Sequence, residues 1–384
     1  MKFLFISNIA GKRVGGFSKS SIIASKDLGI EFHIAANWSK SSPAQMKEDE
    51  LKYGIRLHHI NFERNPLHPS NCKAYKQLLY LIKEESFDVI HCNTPIGGIL
   101  GRICGKKAKV PKIIYTVHGF HFYKGAPLIN RTLFKWVEMW LAHYTDAIIT
   151  INQEDYTAVS KFKLRKGGKV YYVPGVGVDA STVKDAITKR KEMLQYIGAD
   201  ANSILIISIG ELNKNKNNQV IIRALGELQN LKIHYLLCGI GDKKDELLAL
   251  AKDYNIEKNI HFLGYRIDIS ELLKSSDIFV MPSYREGLSR SIMEAMSAGL
   301  PCVVSNIRGN VDLIKDGRGG FLKSPDDIDG FAEAIINLSE DRELRKTMSL
   351  SNLETIKKFD INNVKKEMKK IYISILGSEI SEKA

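Results

Sequence analysis

At 384 residues the chain exceeds what one ordinary hydrophobic core organises, and it suits two domains of about 150–200 residues each. A composition of 44% hydrophobic and 26% charged residues excludes long disorder, and no apolar run reaches the ~18 residues of a membrane-spanning helix. The net charge of +13 lies almost wholly in the first half, where residues 1–180 hold 26 Lys and Arg against 14 Asp and Glu.

Residues 2–7 read as a first strand rather than a signal peptide, because charge and glycine interrupt the apolar run and no small-residue cleavage site follows. The loop Gly11 to Gly16 leads into a helix from about Phe17. Its paired glycines, Gly15 and Gly16, permit close backbone approach to a ligand or form a plain turn; the pattern is not G-x-G-x-x-G. Strands follow at 31–36, 55–60, 88–92 and 112–117, with helices at about 75–84 and 96–104. This alternation predicts a parallel, doubly wound sheet, in which ligands bind outside the carboxyl ends of the strands. Asn93, Thr94, His118 and His121 fall at such ends.

Residues 127–144 show strong helical periodicity with a broad apolar face, expected mainly to pack on the sheet. Its tryptophans and flanking Arg131 and Lys135 also suit a membrane interface. After a strand at 146–151, the basic loop 161–169 could touch lipid headgroups. A basic half of this kind faces something anionic. With no helix-turn-helix, zinc module or RNP-type strand, an acidic membrane surface is the expected partner and nucleic acid is not. A strand at 170–173 and the segment Pro174 to Asp179 close the first domain, and a polar stretch to about Asn202 joins the halves.

The second domain opens with a strand at 203–209, then Gly210 and, just before the next helix, Lys216, a mobile cation suited to a diphosphate. Leu236 to Cys238 and Ile260 to Leu263 are further strands, the latter followed by Gly264, Tyr265 and Arg266. The stretch Ser276 to Val304 organises the rest. A buried strand, Ile278 to Met281, ends at Pro282; a turn carries Glu286 and Gly287; a helix bearing Glu294 stops at Gly299; and Cys302 opens another strand. A helix start just past a glycine turn offers unpaired amides to a phosphate, and carboxylates on either side suit vicinal sugar hydroxyls. Ser291 and Glu294 also fit an S-x-x-E capping box, which would leave Glu294 a local role. Outer helices at 326–338 and 342–357 and a last helix at about 361–375 complete the pattern.

Glu286, seven residues, Glu294 and then Ala295 to Pro301 resemble the signature of the retaining family 4 glycosyltransferases with the GT-B fold. The resemblance extends through Gly210 to Asn217, Leu236 to Asp242 and His261 to Arg266, and more loosely through the first half. It implies an α/β architecture of two doubly wound Rossmann-like domains facing across a cleft. Residues 1–180 would bind the acceptor and 181–360 the nucleotide sugar, with the helix at about 361–376 crossing back to the first domain. It implies His118 and Glu286 as catalytic groups, and Gly16, Gly210, Lys216, Tyr265, Arg266, Gly287, Leu288, Ser289 and Glu294 on the donor. Gly15, Asn93 and Thr94 fall to the acceptor side; His121 has no match in the family and serves the acceptor or nothing.

Where members of the family carry arginine after the first glycine, this chain has Glu211, which removes one phosphate ligand; Lys214 or Arg290 could compensate. The activity implied is retaining transfer from a nucleotide sugar, a UDP-sugar by expectation, without metal or cofactor. The acceptor would be a polyprenyl-diphosphate-linked saccharide in capsule or exopolysaccharide assembly, and the place the cytoplasmic face of the cell membrane. A nucleotide-sugar epimerase and a non-catalytic UDP-sugar-binding subunit are the alternatives. The five scattered cysteines, with no C-x-x-C, read as buried thiols in a reducing compartment.

Overall fold

The computed structural model describes residues 1–377, which divide into two units: Met1–Val176 together with the segment from Ile361, and Gly177–Asp360. In the first unit seven strands form one sheet, β1 (Lys2–Ile9), β2 (Glu31–Asn37), β3 (Arg56–His59), β4 (Val89–Asn93), β5 (Lys112–Val117), β6 (Ala147–Thr150) and β7 (Lys169–Tyr172). The order is β3-β2-β1-β4-β5-β6-β7, and every pair is parallel. Alternate residues of β1 supply both faces: Phe3 and Phe5 join one core cluster, Leu4 and Ile6 the other. Burial on both faces explains why these strands are near-continuous apolar runs.

The second unit repeats the plan with six strands, β8 (Ile204–Ile209), β9 (Ile233–Cys238), β10 (Ile260–Gly264), β11 (Ile278–Met281), β12 (Cys302–Ser305) and β13 (Gly320–Lys323). They are parallel in the order β10-β9-β8-β11-β12-β13. Ile278 and Val280 face one core cluster, Phe279 and Met281 the other. In each sheet the chain reverses its direction of winding once, between β1 and β4 and between β8 and β11. A crevice opens at such a switch point because the connections leave to opposite faces there.

The helix Ile361–Leu376 follows the second unit in sequence but completes the core of the first. Its Met368, Ile371 and Tyr372 are buried beside Phe3 and Phe5, each contributing about 1.5–3 kcal/mol by burial. The Tyr372 hydroxyl is 2.8 Å from Nδ1 of the fully buried His91, whose other ring nitrogen is 2.7 Å from Thr116 Oγ1.

Several expectations need correction. Residues 127–144 are not one packed helix: Asn130–Phe134 is a π-helical turn and Lys135–Ala142 an α-helix, of which only Leu141 and Ala142 are buried. Trp136 is 63% exposed and Leu128 73%, so most of the apolar face meets no core. The polar stretch after Asp179 contains helices Ala180–Lys184 and Arg190–Ile197. Four cysteines are buried, whereas Cys72 is exposed.

Candidate functional site

The second unit's switch point is built from loops packed backbone to backbone. Gly210 N donates to Cys238 O (3.0 Å) and Leu212 N to Ile240 O (3.0 Å), so the chain beyond β8 lies against that beyond β9. A Cβ on Gly239 would stand 1.8 Å from Gly210 O, and only glycine permits that approach. Asn213 accepts from Lys216 N at 3.1 Å and shapes the turn that presents Lys216. The β8 loop is also tied to the β11 loop: Asn215 Nδ2 donates to Arg285 O (3.0 Å), Tyr284 N to Asn215 O (2.9 Å) and Asn217 Nδ2 to Pro282 O (3.2 Å).

These ties bring Lys216 Nζ to 2.7 Å from Glu286 Oε1, with both side chains about four-fifths covered. Gly309, at φ +81°, lets the next loop close on this one, since a Cβ there would fall 2.1 Å from Gly287 O. Leu288 turns its side chain into the core, so a ligand would meet its backbone. Ser289, not Ser291, caps the helix Arg290–Ser297, its Oγ accepting from Ile292 N at 3.4 Å. The capping-box reading of Glu294 therefore fails: the carboxylate takes a 2.9 Å bond from Arg290 Nε, and burial raises its pKa above the ordinary glutamate value against Arg290's pull. A half-buried carboxylate at the first turns of a helix, destabilised by its surroundings, is poised for hydroxyl ligands.

Arg290, engaged with Glu294, is committed on one side, and Lys214 is exposed. Glu211 is exposed and accepts from Asn213 Nδ2 at 3.1 Å. Tyr265 and Arg266 follow β10, two strands from β8: Tyr265 is 77% exposed, and Arg266 is held by Asp268 through bonds of 2.8 and 2.5 Å. An Asp-x-Asp, the spacing of a metal site, would be expected to be missing from a metal-independent chain, but Asp327-Ile328-Asp329 has that spacing. Asp327 instead caps its helix, accepting from Gly330 N at 2.9 Å. Among the described residues no three His, Cys, Asp or Glu side chains converge as metal ligands.

In the first unit the switch point carries a cavity of about 600 Å³. Asn93, Thr94, His118 and His121 all line it. His118 Nε2 is 3.1 Å from Asn93 Oδ1, and Asn93 Nδ2 donates to His91 O (3.3 Å), so Asn93 turns its oxygen to a protonated Nε2. Burial lowers the His118 pKa to about 4, so the ring is neutral near pH 7. Gly15 is the N-cap residue of the helix Gly16–Lys26, with open space where its Cβ would stand.

Two features here are absent from the sequence reading. Thr94 holds φ +64° and ψ 158°, a region strained for a branched residue by about 1–3 kcal/mol. Asn8 restrains it: Thr94 Oγ1 donates to Asn8 Oδ1 (2.7 Å) and accepts from Asn8 N (2.9 Å). The other feature is an ion pair beneath the cavity. Fully buried Arg102 donates to Glu138 Oε2 at 2.8 Å and lies 3.9 Å over the Tyr115 ring, while Glu138 lines the cavity. The position of Asn8 at the end of β1 is the signal that could have found the Thr94 restraint.

Fold and site thus define a two-unit α/β protein with a carboxylate-and-lysine centre at one switch point and a partly apolar cavity at the other. The model of glycosyl transferases group 1 matches residues 189–352, and that of glycosyltransferase family 4 matches residues 24–181. EpsD of Bacillus subtilis (strain 168) is 32% identical over 364 residues, 94% of this chain and 93% of that one. The UDP-Gal:α-D-GlcNAc-diphosphoundecaprenol α-1,3-galactosyltransferase of Escherichia coli is 33% identical over 309 residues, 79% of this chain and 80% of that one. Among solved structures, the Anabaena protein HepE in complex with UDP and glucose superposes with a TM-score of 0.78 at 21% identity, covering 97% of this chain and all of that one. The chain belongs to the glycosyl transferases group 1, and it is a glycosyltransferase.

Proposed function

We propose that the chain transfers a sugar, with retention at the anomeric carbon, from a UDP-sugar to a saccharide carried on a polyprenyl diphosphate. The observation that carries this reading is the Lys216–Glu286 pair beside the Ser289-capped helix. A cation and helix amides suit a departing diphosphate and a carboxylate suits sugar hydroxyls, which supports the reading that charge develops against preformed partners. Glu294 suits the ribose hydroxyls. The Escherichia coli relative's name specifies a UDP-sugar donor and a diphosphoundecaprenol-linked acceptor, which supports the substrate class.

In this reading the acceptor hydroxyl attacks from the face that the diphosphate leaves. The new C1–O bond forms as the C1–O bond to phosphate breaks, and the hydroxyl proton passes to the departing phosphate oxygen. Neutral His118, oriented by Asn93, donates or accepts hydrogen bonds near the reacting sugar without adding charge. Lys216 and the helix amides do the work of neutralising the leaving group, and no divalent metal enters the scheme.

The same reading puts the enzyme on the inner face of the cell membrane. The exposed apolar residues around Trp136 and the basic first half support this, as interfacial segments combine both. No helix among the described residues is long and apolar enough to cross a membrane.

Release of UDP from a panel of UDP-sugars, with and without a prenyl-diphosphate saccharide, tests the proposal. Acceptor-dependent release that collapses in Glu286→Ala is expected. Equal turnover in that variant would sink the site assignment, and donor converted to a new nucleotide sugar without acceptor would identify an epimerase instead.

A further inference from the structure

We infer that Arg64 recognises the diphosphate of the acceptor at the rim of the first unit's cavity, with the saccharide directed inward and the lipid outward; this rests on the reading of a lipid-linked acceptor given above. The cavity carries two residues of fixed formal charge, Arg64 and Glu138. Glu138 is neutralised from below by Arg102, whereas Arg64 is exposed and has no ion-pair partner among the described residues. One uncompensated cation in a largely apolar cavity matches a ligand that is anionic at one point and apolar or hydroxylic elsewhere.

The backbone holds Arg64 in place. Asn71, 8% exposed, accepts from Glu63 N (3.0 Å) and donates to Asn65 O (2.9 Å), bracketing Arg64 with one side chain. The residues after it become apolar, with Pro66 lining the cavity and Leu67 90% exposed.

Other residues of the lining give the ligand its direction. Phe134, Val137 and Glu138 face the cavity, while Ile129, Leu133, Trp136 and Trp140 form an exposed apolar stripe at helical spacing on the adjoining face. The hydrogen-bonding cluster of Asn8, Asn93, Thr94 and His118 lies at the strand ends, suited to sugar hydroxyls. In this inference the lipid runs from Arg64 past Phe134 toward that stripe, and the sugar runs toward His118, all but the stripe being residues of the one cavity lining. The polar head is thereby sorted from the lipid by a single phosphate anchor.

The test uses two probes on the whole protein: N-acetylglucosaminyl diphosphate bearing an undecyl chain, and the undecyl glycoside of the same sugar without the diphosphate. Wild type is expected to bind the first more tightly. Arg64→Gln is expected to weaken that probe alone by about ten-fold or more, and Arg64→Lys to recover most of the loss. If Arg64→Gln keeps the wild-type preference while wild type still transfers sugar to the diphosphate acceptor, the Arg64 assignment is wrong and the proposed function stands. If wild type binds neither probe and transfers to neither, the acceptor reading falls and this inference falls with it.

Discussion

Lys216 Nζ and Glu286 Oε1 stand 2.7 Å apart on loops from two different strands, so the cation and the carboxylate proposed for the donor hold each other. On the proposed function, donor binding would exchange this contact for two new ones on the ligand. Removing either partner should lower kcat/KM by about 10²-fold or more, and the double variant should be little worse than the worse single one, because the two act as a unit. Steady-state kinetics of Lys216→Ala, Glu286→Ala and the pair check this. Strictly additive losses would mean that the residues work separately.

Glu294 is held against its preference. Its carboxyl pKa lies above the ordinary value because burial outweighs the attraction of Arg290. A raised carboxylate pKa costs the folded state stability at every pH above it, and the cost disappears below the unfolded value. Glu294→Gln should therefore be at least as stable as wild type at pH 7 and should bind UDP-sugar about ten-fold more weakly or worse. Thermal denaturation paired with calorimetric titration of donor tests both halves. A destabilised variant with intact binding would assign Glu294 to the helix rather than to the ligand.

The Trp136 segment predicts its own partner. Replacing Trp136 by serine removes a side chain that is mostly exposed, so folding stability should change by no more than about 0.5 kcal/mol. Binding to vesicles rich in phosphatidylglycerol should fall about ten-fold or more, and raised salt should weaken what remains. Vesicle co-sedimentation reads the outcome; binding equal to wild type would remove the segment from the membrane contact.

Acid should destabilise the first unit through three histidines, His91, His118 and His58, the last lowered to about 4 by burial and by neighbouring His33. Burial lowers His118 to about 4 and His91 to about 3, whereas the unfolded chain takes up these protons near pH 6.5. Stability is then fully present above pH 6.5 and is lost as pH falls, at about 1.4 kcal/mol per pH unit for each histidine. Between pH 6.5 and 4.5 this precedes the loss from carboxylates such as Glu85 and Asp268, whose lowered values act only below about 4.5. Urea unfolding at stepped pH should show a shallower slope in His118→Asn than in wild type.

Much of the plan was legible in the chain because it depends on local pattern. Strands buried on both faces announce themselves as apolar runs, and Glu286 and Glu294 are separated by a turn and a helix start that any reader can locate. What stayed hidden depends on partners far away in sequence. Asn8 matters through Thr94, eighty-six residues on, and nothing near either residue signals the strained backbone between them. Periodicity in 127–144 revealed an apolar face but could not say what covers it, since a core-facing helix and an uncovered one have the same spacing. Ser289 and Ser291 are equally good caps on paper; the turn after Gly287 decides for Ser289. Strand β13 is four residues opening with glycine, too short to stand out as a run.

The helix Ile361–Leu376 has a consequence for biosynthesis. The unit translated first stays open until the segment translated after the second unit arrives, so Phe3, Phe5 and Phe32 remain without their cover of Met368, Ile371 and Tyr372 throughout elongation. A nascent chain halted anywhere before residue 361 leaves that greasy face uncovered, and it is the state on which a chaperone would act.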